Sequence, residues 1–227
     1  MRLFCLFIVF VLCPLSAGTQ QAPFRVGEVI TYDIKQLGIK AGQATLTFSG
    51  ETRQEGRNLF LVVLKADGFN FFDQEEVYLD PTTFFPVLVL RDLNIFGKKE
   101  KIREDYLQDA KKIYIHKTSG SKVTEQVLDT RGAVDNIYGF IYRYRLNGSF
   151  RPGKDMDIHL PTQDLKIGIV KMIGIDVARR KVASAYMESR PDKYKIWFGI
   201  DHRHIPLKIT GAVGVGNTVM TMTDYKG

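Results

Sequence analysis

Apolar and polar residues alternate with period two along most of this chain. Val26, Glu28, Ile30, Tyr32 and Ile34 alternate with Gly27, Val29, Thr31 and Asp33. LGIKAG breaks the run, and Ala44, Leu46 and Phe48 then alternate with Thr45 and Thr47. Successive side chains of a strand point to opposite faces, so the pattern reads as strand, turn, strand. NLFLVVLKA (58–66) predicts a buried strand; EEVYLDP (75–81) and FFPVLVLRDL (84–93) follow, divided by Asp80-Pro81. KKEKIREDYL, KKIYIHK and KVTEQVL each carry one charged face, as in antiparallel sheets with one side in water. Strands resume with DMDIHLP (155–161) and LKIGIVKMIGIDV (165–177). In the latter, Leu165, Ile167, Ile169, Ile173 and Ile175 share a face, and Gly168 and Gly174 suggest curvature or a close neighbour. KVASAYMES, YKIWFGI, IPLKITGAV and NTVMTMTDY complete the set.

One segment departs from this period. Within AVDNIYGFIYRYRL (133–146), Val134, Ile137, Ile141 and Tyr144 recur at helical spacing. Thr130 or Asp129 can cap the start, Asn147-Gly148 can end it, and Arg143 and Arg145 suit the negative end of the dipole. The prediction is a mainly β chain, an antiparallel open barrel or two-layer sheet, with one helix at about 133–146. No linker rich in Pro, Gly or Ser divides it and no fixed-period repeat is present.

The N-terminus changes the picture of where the protein works. MRLFCLFIVFVLCPLSAG has basic Arg2, an apolar run from Leu3 to Val11, a break at Pro14 and small residues at Ser16-Ala17-Gly18. That is the form of a cleaved secretory signal, shorter than the ~20 apolar residues of a membrane span. Leu12 before Cys13 is bulky where lipoprotein signals carry a small residue, so cleavage after Gly18 is preferred to lipidation of Cys13. Residues 1–18 are read as the signal peptide and 19–227 as a single β-rich domain, periplasmic or secreted, with no transmembrane segment after cleavage. Cys5 and Cys13 both fall in the leader. The mature chain then has no cysteine for a disulfide, a thiolate zinc site or a thiol nucleophile.

Composition adds a partner class. Of 227 residues, 44% are hydrophobic and 25% charged, which is ordinary for a folded globular chain. A net charge of +7 favours acidic partners. Export turns that preference from nucleic acid to the cell envelope.

Candidate chemistry is sparse. Asp201, His202 and His204 lie in KIWFGIDHRHIPLKITG, between two strand-like runs, and Asp is a favoured first residue of a β-turn. A metal site there is the weaker alternative, because zinc wants at least three protein ligands and an orienting outer shell. Ser119-Gly120-Ser121-Lys122 has Ser-x-x-Lys spacing but sits between strands as a turn would. Gly211, Gly214 and Gly216 have the wrong spacing for a dinucleotide loop. Asp73, Glu75, Glu76 and Asp80 form an acidic patch that could supply a carboxylate pair of the glycosidase type, and are better read as solvated edge charges. Phe69, Phe71, Phe72 and Phe96, with Lys98 and Lys99 and with Trp197, are the candidate ligand-binding residues. The phenylalanines would border a concave apolar pocket at strand ends, and nearby basic groups would suit an amphiphile with an anionic head.

Four stretches together resemble a bacterial exported family, domain-of-unknown-function family 3108. FRVGEVITYDIKQLGIKAGQATL (Gly27-Glu28, Tyr32, Ala41-Gly42) resembles its opening hairpin, and VYLDPTTFFP (Asp80, Pro86) its middle segment. DNIYGFIYRYRL (Tyr142, Arg145) resembles its helix, and WFGIDHRHIPLKI (Trp197, Asp201, Pro206) its closing hairpin. The resemblance implies export and a β-rich fold, and supplies no catalytic residue. The favoured reading is an exported non-enzymatic protein without a cofactor, binding a lipid, another amphiphile or an envelope protein. The alternatives are a metal-assisted hydrolase using Asp201, His202 and His204, and a scaffold pairing through an exposed sheet edge.

Overall fold

The computed structural model describes residues 22–213 and 218–227. The N-terminal run with Cys5 and Cys13, and Gly214 and Gly216 of the glycine-rich stretch, lie outside the described residues.

The chain forms one 14-stranded antiparallel sheet with a helix. β1 (Glu28–Gln36), β2 (Ile39–Gln54), β3 (Arg57–Gly68) and β4 (Phe71–Leu79) run as a meander. It continues through β5 (Pro86–Ile95), β6 (Lys98–Leu107), β7 (Lys112–Ser119) and β8 (Lys122–Asp129). After helix α1 (Ile137–Asn147), a second meander holds β9 (Asp155–Leu160), β10 (Gln163–Val177) and β11 (Arg180–Arg190). β12 (Lys195–Gly199), β13 (Pro206–Thr210) and β14 (Thr218–Lys226) complete it. The two wings join where β1 pairs with β14, with Ile30 opposite Tyr225 and Ile34 opposite Met220. β8 and β9 are the outer edges, so the sheet curls without closing.

The expected alternation is present in β1: Glu28, Ile30, Tyr32 and Ile34 are all fully buried. Val26, in the same sequence phase, precedes the strand and is exposed. In β10 the common face is lost. Beyond a register shift between Ile169 and Lys171 the burial changes: Leu165, Ile167 and Ile169 are buried, Ile173 is exposed as are Val170 and Met172, and Ile175 packs partly against the core. Gly168 has the close neighbour its position suggested: a Cβ there would meet Asp155 Oδ1 and the Lys154 carbonyl oxygen.

The helix starts four residues later than its apolar spacing suggested. Its N-cap is Asn136, not Thr130 or Asp129: Asn136 Oδ1 accepts from Tyr138 N at 2.9 Å and Gly139 N at 3.4 Å. Gly148 ends it, with its N–H bonded to the Tyr144 carbonyl. Ile137, Tyr138, Phe140, Ile141, Tyr142, Tyr144 and Arg145 are all buried. A helix buried on most of its sides is enclosed by protein, and here the curled sheet encloses it.

Arg145 does more than complement the helix dipole. It is fully buried, and its Nη1 and Nη2 meet Glu28 Oε1 at 2.5 Å and Oε2 at 2.9 Å. Its Nε and Nη2 also donate to the Arg203 carbonyl, and Nη2 to that of Pro23. Tyr142 and Tyr225 donate their hydroxyls to Glu28 at 3.2 and 3.1 Å. One network therefore ties β1, β14, α1 and the β12–β13 connection together. Every polar atom of the pair is engaged, as burial of charge requires.

Removing one partner leaves an uncompensated charge in the core. Arg145→Met is expected to lower the unfolding free energy by about 3–5 kcal/mol, and Glu28→Gln with Arg145→Met together to cost less than the sum of the single changes. Urea unfolding of the four proteins measures this; additive losses would exclude the coupling.

Candidate functional site

Between the wings lies a cleft of about 240 Å³. The inner face of β4–β6 supplies Glu75, Val89, Arg91, Ile102, Glu104 and Tyr106. The helix start adds Asn136 and Ile137, the β9–β10 turn Leu160, Pro161 and Thr162, and the β11–β12 connection Lys193 and Tyr194. Strand phase puts these residues on one side. Glu75 pairs with Arg91 across β4 and β5, and Arg91 with Ile102 across β5 and β6.

Asp73 is fully buried and grips Arg91 with both oxygens, at 2.8 Å to Nε and 2.6 Å to Nη2. Glu75 Oε2 lies 3.5 Å from Arg91 Nε, and Asn136 Nδ2 donates to Glu75 Oε1 at 2.5 Å. The helix cap thus also orients a carboxyl. Burial pushes Glu75 up to about 7; Arg91 and the Asn136 hydrogen bond oppose that rise, and the charges of Asp73 and Glu104 assist it. Glu104 is raised by burial as well, although it accepts the Tyr106 hydroxyl at 2.5 Å. Asp135, beside the cap, is raised by burial against the pull of Arg143, which it holds at 2.7 Å. The cleft therefore joins an apolar wall to a near-neutral polar floor.

The acidic run was expected to be solvated edge charge. The structure divides it instead. Asp73 and Glu75 point inward and are buried; Glu76 faces outward and accepts the Tyr78 hydroxyl. Asp80 caps the next turn through Thr82 N and Thr83 N. Period two in DQEEVYL carried the signal, because Asp73 and Glu75 share the phase of Val77 and Leu79, which are buried too.

The candidate ligand residues do not come together as one apolar pocket. Phe69 and Phe96 project from hairpin tips. Phe71 is buried in the core, and Phe72 lies on the outer face, where with Lys99 it lines a polar groove beside Asp92, Asn94 and Lys101. Lys98 pairs with Glu100 at 3.1 Å. Trp197 is on the other wing, 4.8 Å from the Tyr186 ring and beneath Lys208. The basic groups also disperse: Arg143 and Arg145 are held by Asp135 and Glu28, and Arg179 and Arg180 sit at the β10–β11 turn.

Asp201 to His204 form the expected turn, with His204 N donating to the Asp201 carbonyl at 3.0 Å. Although burial raises Asp201, the Arg203 guanidinium at 2.7 Å holds its carboxyl below the ordinary value. His204 turns its Nδ1 to the Gly199 carbonyl and stacks on Phe150, with ring centres 3.6 Å apart. Among the described residues, no three His, Cys, Asp or Glu side chains are grouped to hold a metal ion. Ser119 to Lys122 form the β7–β8 turn. The β8 edge is unpaired and almost wholly exposed, with Lys122, Glu125 and Asp129 along it. No helix among the described residues is long and apolar enough to cross a membrane.

Folded Glu75 keeps a proton between about pH 4.5 and 7 that the unfolded chain has released. Its contribution to stability is complete below that window and is lost as pH rises through 7. Glu75→Gln is expected to stabilise the protein at pH 8 relative to pH 5, by up to about 3 kcal/mol. Urea midpoints at the two pH values check this; an equal difference at both would show that Glu75 titrates normally.

A solved structure is similar: the beta-barrel-like protein of domain of unknown function DUF1849 from Brucella abortus. It is 11% identical, with a TM-score of 0.49, over 88% of this chain and 97% of that one. No curated protein matches the chain. The model of the family described as "Protein of unknown function (DUF3108)" matches residues 31–223. With most of its length inside that match, the chain belongs to the DUF3108 family.

Proposed function

We propose that this protein is an exported, non-enzymatic binder of an amphiphile, whose polar head enters the cleft between the wings. The observation that carries this reading is the pairing of unlike walls in one small space. Val89, Ile102, Ile137 and Leu160 offer apolar surface, while Arg91, Asn136, Glu75 and Lys193 offer convergent polar groups. Ligand sites commonly have this composition. The volume of about 240 Å³ is below that of drug-sized sites, so it suits a head group or short segment with the remainder lying outside.

The electrostatics narrow the head group. Arg91 is matched by Asp73, and Glu75 and Glu104 both hold protons more readily than ordinary carboxyls. A protonated Glu75 donates a hydrogen bond, as do Asn136 and Lys193. The site favours a neutral or zwitterionic head rich in acceptor oxygens, not the strongly anionic head that the number of basic residues suggested. Glu75 also supports a second reading, an acid–base enzyme, because a carboxyl near neutral pKa in a cleft can pass a proton in either direction.

Native mass spectrometry of protein isolated without detergent from cells expressing the whole chain tests the first reading. A co-purifying lipid-sized mass is expected. Thr162→Trp, at the exposed turn lining the cleft, should displace it while leaving the melting temperature unchanged. Protein that is empty in every preparation, or a ligand retained equally by the Trp variant, would remove the cleft from consideration.

A further inference from the structure

Alternate turns of a meander emerge at the same end of a sheet, so the β1–β2, β3–β4, β5–β6 and β7–β8 turns share one end. There Leu37 is 88% exposed, Ile39 74%, Phe69 86% and Phe96 74%. They are the most exposed large apolar side chains among the described residues. The tips are bonded to one another. Phe69 N donates to the Ala41 carbonyl at 3.1 Å, and Phe96 N to the Asn70 carbonyl at 2.8 Å. Neighbouring hairpins thus present their apolar side chains as one ordered row.

Folding does not call for apolar residues at these positions. Exposed, they forgo the gain of burial. Leu37 and Phe96 both have φ of 51°, a left-handed backbone that Gly, Asn and Asp enter far more readily. The opposite end uses the same backbone at Glu55, Lys111, Ala178, Arg179 and His204, with polar or small side chains, and at Phe84, whose ring is buried. The turn geometry is common to both ends, and the apolar row belongs to one.

The charge beside the row is mainly basic. Within two positions of turns 37–38, 69–70, 96–97 and 120–121 stand Lys35, Lys40, Lys98, Lys99 and Lys122, against Asp67; Lys40 is paired with Asp33 of the adjoining strand and Lys98 with Glu100 of its own strand. We propose that this end docks on a lipid bilayer bearing anionic headgroups. Leu37, Ile39, Phe69 and Phe96 enter the headgroup–acyl boundary, and the lysines meet the headgroups. Apolar insertion and a basic fringe are the two signals whose sum holds a peripheral protein on such a surface. A second copy of the chain would cover the same apolar row but would set lysines against lysines. Along β4, Glu75 is five residues from Asn70, roughly 17 Å, so docking would hold the cleft near the lipid. The proposal rests on the tips alone and stands even if the cleft is empty.

Sedimentation with phosphatidylcholine vesicles, with and without phosphatidylglycerol, tests it on protein isolated from cells expressing the whole chain. The wild type is expected to bind the anionic vesicles and to leave them as salt is raised. Leu37→Asn, Phe69→Ser and Phe96→Asn combined should weaken binding about tenfold or more, with a melting temperature equal to or above that of the wild type. Lys99→Gln and Lys122→Gln should each weaken it about fivefold. Val26→Ser with Ile200→Ser, exposed apolar residues of the opposite end, should change nothing. Failure of the wild type to bind, equal binding by the tip variant, equal loss in the control, or a tip-dependent dimer in solution without vesicle binding would each overturn the proposal.

Discussion

The buried pair of Arg145 and Glu28 is the constraint on which the rest of this architecture depends. Two charges removed from water demand close geometry and satisfied lone pairs. Here that demand is met by groups from distant parts of the chain: Tyr142 on the helix, Tyr225 on the last strand, and the carbonyls of Pro23 and Arg203. The β1–β14 pairing is the long-range step in a sheet otherwise built from neighbouring strands. The ion pair sits at that step and fixes the helix against it. Local hairpins can assemble each wing, and the charge network specifies how the wings and helix meet.

Once the helix occupies the interior, the inner face of the sheet has two environments. Opposite the helix body it is hydrocarbon and aromatic, with Phe24, Phe48 and Tyr142 in mutual ring contact. Near the helix start the cap residue Asn136 needs polar neighbours, and β4 and β5 supply Glu75, Asp73 and Arg91. The cleft is thus a consequence of how this helix begins. Its capping residue has a side-chain oxygen for the helix N–H groups and a side-chain N–H₂ for Glu75, so one residue serves stability and site geometry together.

Much of the secondary structure was legible from period two alone, because one face of most strands is covered by the helix or the other wing. Legibility failed where a local device changed the phase. The burial of β10 changes beyond the register shift after Ile169, and no residue type in KIGIVKMIG marks that shift. The helix start was misplaced because Val134 continues the apolar spacing although its backbone is tied to Gln108 instead of the helix. The cleft was hidden for a different reason. Acidic residues at a strand position are usually solvated, and the partners that permit burial of Asp73 and Glu75 lie 18 and 61 residues away.

The sequence by itself determined a β-rich chain with one helix, the hairpin at Asp201–His204, and the family, because these follow from local periodicity, turn chemistry and the order of short motifs. Only the tertiary structure decided which charges are buried, which phenylalanines are core and which stand at the tips, and where the wings leave a cleft. Burial is a property of what lies opposite a residue, and alternation names two faces of a strand without saying what covers either one.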